Sequence, residues 1–191
     1  MKVVAVNGSA RKGGNTEQLI RMVFQELETK GIQTELIHVG GKLLRGCTAC
    51  RKCWEAKNEQ CSIKNDAINE YVQKLKEADG VILASPSYFA NVSSELKAFI
   101  DRVGMVSKAN DNLFKRKIGA AVVAVRRSGE IHVFNSINHF FLIGEMIVVG
   151  STYWNNGTGL NPGDVQNDAE GIQTMQNLGK NMAWLLKKLT K

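Results

Sequence analysis

No stretch of this 191-residue chain is apolar for long enough to cross a membrane. A membrane helix takes about 20 consecutive apolar residues. The longest unbroken runs here are of the size of Val3–Val6 and Ala120–Val125, and Phe140–Val149 is interrupted by Gly144 and Glu145. Val3–Val6 is also too short for the apolar core of a secretory signal, so a cytoplasmic location and no membrane partner are expected. Blocks of like charge, low-complexity tracts, internal repeats and linkers are all missing. The net charge is +7, but the charges are scattered, the nearest approach to a cluster being Lys115–Lys117 with Arg126 and Arg127. No nucleic-acid-binding fingerprint accompanies them, which argues against DNA or RNA as partners. The basic excess then suits an anionic cofactor or an acidic protein. His38, His132 and His139 have no recognisable partners in the sequence and read as structural. The length suits one domain over residues 1–191, large enough for a core that needs no disulfide or metal to fold.

What is present alternates. Lys2–Val6 reads as a buried strand ended by Asn7-Gly8, and Glu17–Lys30 as a helix with Leu19, Ile20, Val23, Phe24 and Leu27 on one face. Further strands are expected at Gln33–Val39, Gly80–Ala84, Ile118–Val125 and Met146–Val149. Helices are expected at Asp66–Glu77, with Asp66 as N-cap, and at Ser93–Val103, Glu130–Ile143 and Asp168–Leu189. This order predicts an α/β three-layer sandwich, a parallel sheet covered on both faces. Five strands favour the flavodoxin-like order 2-1-3-4-5, whose ligands bind beyond the C-terminal strand ends. Three loops fall there: Asn7–Thr16, Ser85–Val92 and Arg126–Glu130.

The first loop runs from a strand through three glycines into a helix, an arrangement in which free amides and the helix dipole face an anion. Gly8 and Gly13 have the P-loop spacing, but Gly14 and Asn15 stand where lysine and Ser/Thr belong, which argues against nucleoside triphosphate hydrolysis. Ala10 breaks the dinucleotide pattern. The remaining Ser9, Arg11, Lys12, Asn15 and Thr16 suit a terminal phosphomonoester. An ordinary βα turn whose glycines only satisfy geometry is the competing reading.

The string Gly8-Ser-Ala-Arg-Lys-Gly-Gly-Asn-Thr16 resembles the FMN phosphate loop of NAD(P)H-dependent FMN reductases. Ala84-Ser-Pro-Ser-Tyr-Phe-Ala-Asn91, followed by Glu95-Leu-Lys-Ala-Phe-Ile-Asp-Arg102, is similar to that family's second signature. The resemblance implies a flavodoxin-like fold, FMN as cofactor and NAD(P)H as a co-substrate. It also implies a loop of Pro86, Ser87, Tyr88, Phe89 and Asn91 against the isoalloxazine ring. Tyr88 and Phe89 offer flat apolar surface for a tricyclic ring, though such aromatics also cap cores. Asp101 and Arg102 read as a structural ion pair. Arg126 and Arg127 depart from the small residues usual in the family's third loop. A cation there, Arg126 being the candidate, stabilises anionic reduced flavin; bland surface arginine is the competing reading. The long loop Gly150–Asn167 either shapes the flavin pocket or meets a neighbouring subunit.

All four cysteines fall at Cys47, Cys50, Cys53 and Cys61, in a loop at about 44–64. Two-residue gaps followed by a fourth cysteine suit tetradentate ligation of a 4Fe–4S cluster, and the pattern resembles that of iron–sulfur flavoproteins. Zinc, or a cysteine set that binds no metal, are the other readings. The resemblance implies a homodimer or homotetramer. It also implies a relay in which a ferredoxin-like donor feeds a cluster, then FMN, then an acceptor. A cluster-free NAD(P)H-dependent FMN or quinone reductase, or a non-enzymatic FMN-binding redox shuttle or sensor, is the alternative.

Overall fold

The structure is a computed structural model that describes residues 1–189. Thr190 and Lys191, the end of the expected domain, lie outside the described residues. The strands β1 (Lys2–Asn7), β2 (Gln33–His38), β3 (Gly80–Pro86), β4 (Ile118–Val125) and β5 (Ile147–Val148) form a parallel sheet of order 2-1-3-4-5. The helices are α1 (Asn15–Glu28), α2 (Lys52–Ala56), α3 (Ile68–Glu77), α4 (Ser94–Ala109), α5 (Glu130–Ile143) and α6 (Ala169–Leu189). Each of the expected elements is present, displaced at its ends by a few residues.

Alternation along the strands separates two cores. Val3 and Ala5 face α1 and α6, where Leu19, Ile20, Val23 and Phe24 meet Met175, Leu178 and Met182. Val4 and Val6 face the other layer, with Ile68 and Val72 of α3, Phe99 and Val103 of α4, and Ile137 and Phe141 of α5. All eight residues of β4 are buried, as a central parallel strand covered on both faces should be.

Two elements depart from expectation. The fifth strand is split: β5 is only two residues long and pairs with Ile118 and Gly119, at the start of β4. The chain then leaves the sheet and returns as β6 (Asn156–Thr158), parallel to Val123–Val125 at the other end of β4. Gly157 in β6 packs closely on α1: a Cβ there would lie 2.5 Å from a Leu19 methyl, which would have to shift. The second departure is α2, a single short helix in the cysteine loop. Among the described residues no helix is long and apolar enough to cross a membrane.

Candidate functional site

β1, β3 and β4 end together, and their loops enclose a cleft of about 160 Å³. Ser9, Arg11, Asn15, Thr16, Pro86, Ser87, Tyr88 and Arg126, all anticipated from the sequence, line it. The first loop is shaped by its own polar atoms. The Asn7 side-chain oxygen accepts from Ser9 N–H at 2.9 Å, and Ser9 Oγ accepts from Arg11 N–H at 3.2 Å. Glu17 accepts from Gly13 N–H at 2.9 Å, and that bond holds its carboxyl below the usual range. Gly13 itself has φ +65°, a conformation that favours glycine. Gly14, at the N-cap of α1, offers no side-chain cap, so the first-turn amides are left for a ligand beside the Thr16 hydroxyl. Ser9 and Thr16 are almost fully buried.

The second loop springs from β3 and turns tightly. Tyr88 and Asn91 exchange backbone hydrogen bonds of 3.0 Å each, with Phe89 at φ +48° and Ala90 at φ +57°. This turn puts Tyr88 on the cleft wall and sends Phe89 fully into solvent. Asn91 Oδ1 accepts from Val92 N–H at 2.8 Å and serves the turn. Phe89, Asn91 and the exposed Lys12, expected as cofactor contacts, lie off the lining of this cleft. The third loop leans on the second: a Cβ at Gly129 would come within 3.0 Å of Ser87 Oγ. Arg126 lines this cleft and a second, shallower one beside it, and Arg127 lines neither.

Sequence reasoning missed Ala124, Gly159, Leu160 and Pro162 as individual wall residues. The last three belong to the long loop that follows β6, which thus shapes the cleft. Asn15 Oδ1 accepts from Gly163 N–H at 2.9 Å and Arg11 donates to Leu160 O at 3.4 Å, tying this strap to the first loop. The length of Gly150–Asn167 was the only signal for it.

The four cysteines line a separate cavity of about 20 Å³, with Arg102, Met105 and Val106 of α4 behind them. Left-handed backbone at Ala49, Arg51, Lys57 and Glu59 coils the loop around it. Cys47 and Cys50 are exposed and Cys53 is buried. Cys50 Sγ pairs with Ser62 Oγ at 3.3 Å; this bond, with the Lys52 amide, pulls its thiol pKa down. Burial pushes that of Cys53 up. Ala49 N–H points at Cys47 Sγ, 3.4 Å away. Among the described residues no group of three or more His, Cys, Asp or Glu side chains is gathered so as to hold a metal ion.

The expected Asp101–Arg102 pair does not form. Asp101 bonds Lys97, one turn back, at 2.5 Å. Arg102 points into the protein with its side chain fully buried, and it pairs with Asp66. Asp66 in turn does not cap the helix as expected: α3 starts at Ile68, and Asp66 Oδ1 accepts only from Ile68 N–H, at 3.2 Å.

The family described as NADPH-dependent FMN reductase matches residues 1–160. The chain belongs to this family. Membership makes FMN its ligand and flavin oxidoreduction its class of chemistry. It is 39% identical to an iron–sulfur flavoprotein of Methanocaldococcus jannaschii, with the whole of both chains covered. It is 31% identical to an iron–sulfur flavoprotein of Methanosarcina thermophila, over 100% of this chain and 98% of that one. A solved archaeal flavodoxin superposes with a TM-score of 0.64 at 19% identity, covering 98% of this chain and 99% of the other, which shows a flavodoxin-like fold.

Proposed function

We propose that this FMN reductase family member is a two-centre electron-transfer flavoprotein, holding FMN in the cleft and a 4Fe–4S cluster on Cys47, Cys50, Cys53 and Cys61. The observation that carries the flavin half is the convergence of the Ser9 and Thr16 hydroxyls, the Arg11 guanidinium and the free first-turn amides of α1 on one cleft beside Tyr88. That set matches a phosphate monoester: amides and hydroxyls donate to its oxygens, and Arg11 supplies charge. The enclosed volume suits the phosphate end, with Pro86, Ser87 and Tyr88 presenting the surface for the ring. Arg126 also lines the cleft and would supply the positive charge that stabilises an anionic reduced flavin. FMN, when bound, supplies both one-electron and hydride chemistry.

The cysteine half rests on four thiols lining one cavity, with hydrogen-bond partners already placed at three of the sulfurs. A single zinc ion draws its four sulfurs to about 3.8 Å from one another, given Zn–S bonds near 2.3 Å. A four-iron cluster asks for a wider spread, because each thiolate binds a different iron. Four thiols supply one ligand for each of four irons, and the exposed arm carrying Cys47 and Cys50 gives the cavity an open side. The cluster, when bound, supplies one-electron transfer. Around it stand exposed Arg45, Arg51, Lys52, Lys57 and Lys64, a basic rim that favours an acidic, ferredoxin-like donor. Exposed Leu142 and Ile143 on α5 and the stacked, half-exposed Tyr153 and Trp154 support a homodimer or homotetramer.

The second reading is a cluster-free NAD(P)H-dependent reductase. It is favoured by the lack, among the described residues, of a gathered metal-ligand group. An absorption spectrum with iron and sulfide analysis, on protein purified without oxygen, decides between them. Flavin bands with a shoulder near 400 nm and about four irons and four sulfides per chain are expected. Flavin bands with neither iron nor sulfide refute the cluster and leave the reductase.

A further inference from the structure

Arg102 is among the largest fully buried side chains in the protein, and it is a charged one. It stands on the apolar stripe of α4, in line with Phe99, Val103 and Val106. Nη1 donates to Arg45 O at 3.2 Å and to Asp66 Oδ2, Nη2 donates to Ile63 O at 3.0 Å, and Nε points at Cys61 Sγ, 3.4 Å away. All four acceptors lie between residues 45 and 66, which is the segment that carries the cysteines. That segment has one five-residue helix and few buried side chains of its own, so it lacks a core to shape it. An arginine suits the task because its planar fork spreads five N–H donors over a carbonyl on each side of Cys61, a carboxylate and a sulfur at once. Loop pinning alone needs only the two carbonyls and Asp66. The bond to sulfur does something else: among the described residues it is the one hydrogen bond from a charged side chain to any of the four thiols.

We propose that Arg102 is the positioning residue of the cysteine centre, clamping the chain on both sides of Cys61 and balancing negative charge at that sulfur. The charge-balancing half rests on the reading that the thiols hold an iron–sulfur cluster; the clamping half does not. The helix that bears Arg102 also begins at the flavin-side loop. Ser93 caps α4, and Ser93 N–H is held by Ser85 Oγ at 2.9 Å. Nine residues of helix, about 14 Å, therefore set a fixed spacing between the cap beside that loop and the clamp.

The test uses the full chain with Arg102→Met and Arg102→Lys, and it has two readouts. The first is native-state trypsin cleavage at the exposed Arg45, Arg51, Lys52, Lys57 and Lys64, on iron-free protein with FMN bound. Arg102→Met is expected to be cut at least about tenfold faster than the parent, the equivalent of one charge-assisted bond, with FMN content unchanged. The second is the iron–sulfur reduction potential, followed by the bleaching of its visible band. Hydrogen bonds and positive charge at cluster sulfurs favour the reduced form, so Arg102→Met is expected to shift the potential downward. Arg102→Lys keeps the charge without the fork. It is expected to lie nearer the parent in potential but close to Arg102→Met in cleavage. Parent-like cleavage of Arg102→Met overturns the clamp, and an unmoved potential overturns the charge balance. If Arg102→Met does not fold, Arg102→Lys decides: faster cleavage supports the clamp and parent-like cleavage overturns it. A parent protein without iron refutes the cluster, and with it the charge balance, while the cleavage comparison still decides the clamp.

Discussion

Replacing Arg11 with alanine separates a phosphate-binding arginine from one that only ties down a loop. Among the described residues its guanidinium makes one hydrogen bond, to Leu160 O, and that bond is long at 3.4 Å and exposed. Its loss costs the fold little, a few tenths of a kcal/mol for an exposed surface contact. Toward the FMN phosphate the same group makes a charge-assisted bond, worth about 1.5–3 kcal/mol in general. Arg11 is exposed, so solvent screening points to the lower end, about 1.5–2 kcal/mol. That corresponds to roughly a ten- to thirtyfold rise in the Kd for FMN. Riboflavin has the same ring and ribityl chain without the phosphate, so its affinity should change by less than about twofold. Titrating the flavin-free protein with each flavin, followed by quenching of flavin fluorescence, gives both constants. Raising the salt to about 1 M should shrink the FMN effect, because the Debye length falls to about 3 Å. An equal loss for FMN and riboflavin refutes the reasoning: Arg11 would then act through the Leu160 strap and not on the phosphate.

Gly40→Ala tests the support beneath the same loop. A Cβ there would lie 2.1 Å from the Ser9 carbonyl carbon and 2.2 Å from its oxygen, both backbone atoms, so Ser9 must move. We expect a loss of about 1–3 kcal/mol in urea unfolding together with weaker FMN binding; parent-like values for both would show that the loop yields freely. On the acid side, Glu17 is held below its ordinary 4.5 by the Gly13 amide, and Glu35 by Lys2 and Lys74. Their folded-state values lie below the unfolded ones, so the stability they lend is full above about pH 4.5 and fades as the pH falls through the folded values. Each contributes about 1 kcal/mol or less, since both are partly exposed. The urea midpoint should fall between pH 5 and 3, less steeply in Glu17→Gln and Glu35→Gln; a flat parent profile contradicts this. Among the cysteines, Cys53→Ser puts a hydroxyl into the core and should cost about 1–3 kcal/mol, whereas exposed Cys47→Ser should stay within about 0.5 kcal/mol. Both should abolish iron binding, and full iron content in Cys47→Ser would remove that residue from the ligand set.

The parts of this molecule that could be read in its sequence are those in which neighbours along the chain do the same physical work. β1, β3 and β4 are apolar runs, α1 repeats its buried positions every three to four residues, and the glycine loop between β1 and α1 is continuous, so the fold and the loop that lines the cleft are both legible. β6 is not, because Asn156-Gly157-Thr158 reads as a turn, and the close packing of Gly157 on Leu19 of α1 is a long-range contact. The resemblance and the residue types put Phe89 and Asn91 against the ring; the turn, with two left-handed residues, faces Phe89 outward and engages the Asn91 side chain, a geometry that residue types do not reveal. Arg102 is an instructive error. It was paired with Asp101 because the two are adjacent, yet adjacent residues on a helix point about 100° apart and do not face each other. The spacing that applies is three to four: Lys97 with Asp101 on the outside, and Phe99, Arg102, Val103 and Val106 on the inside. An arginine on the buried stripe of a helix announces a remote partner, because a buried charge without one is costly. Asp66, 36 residues away, supplies the charge. The cysteine loop supplies the remaining acceptors, which is why the α4 signature motif and the cysteine motif, read from the sequence as separate sites, are physically one construction.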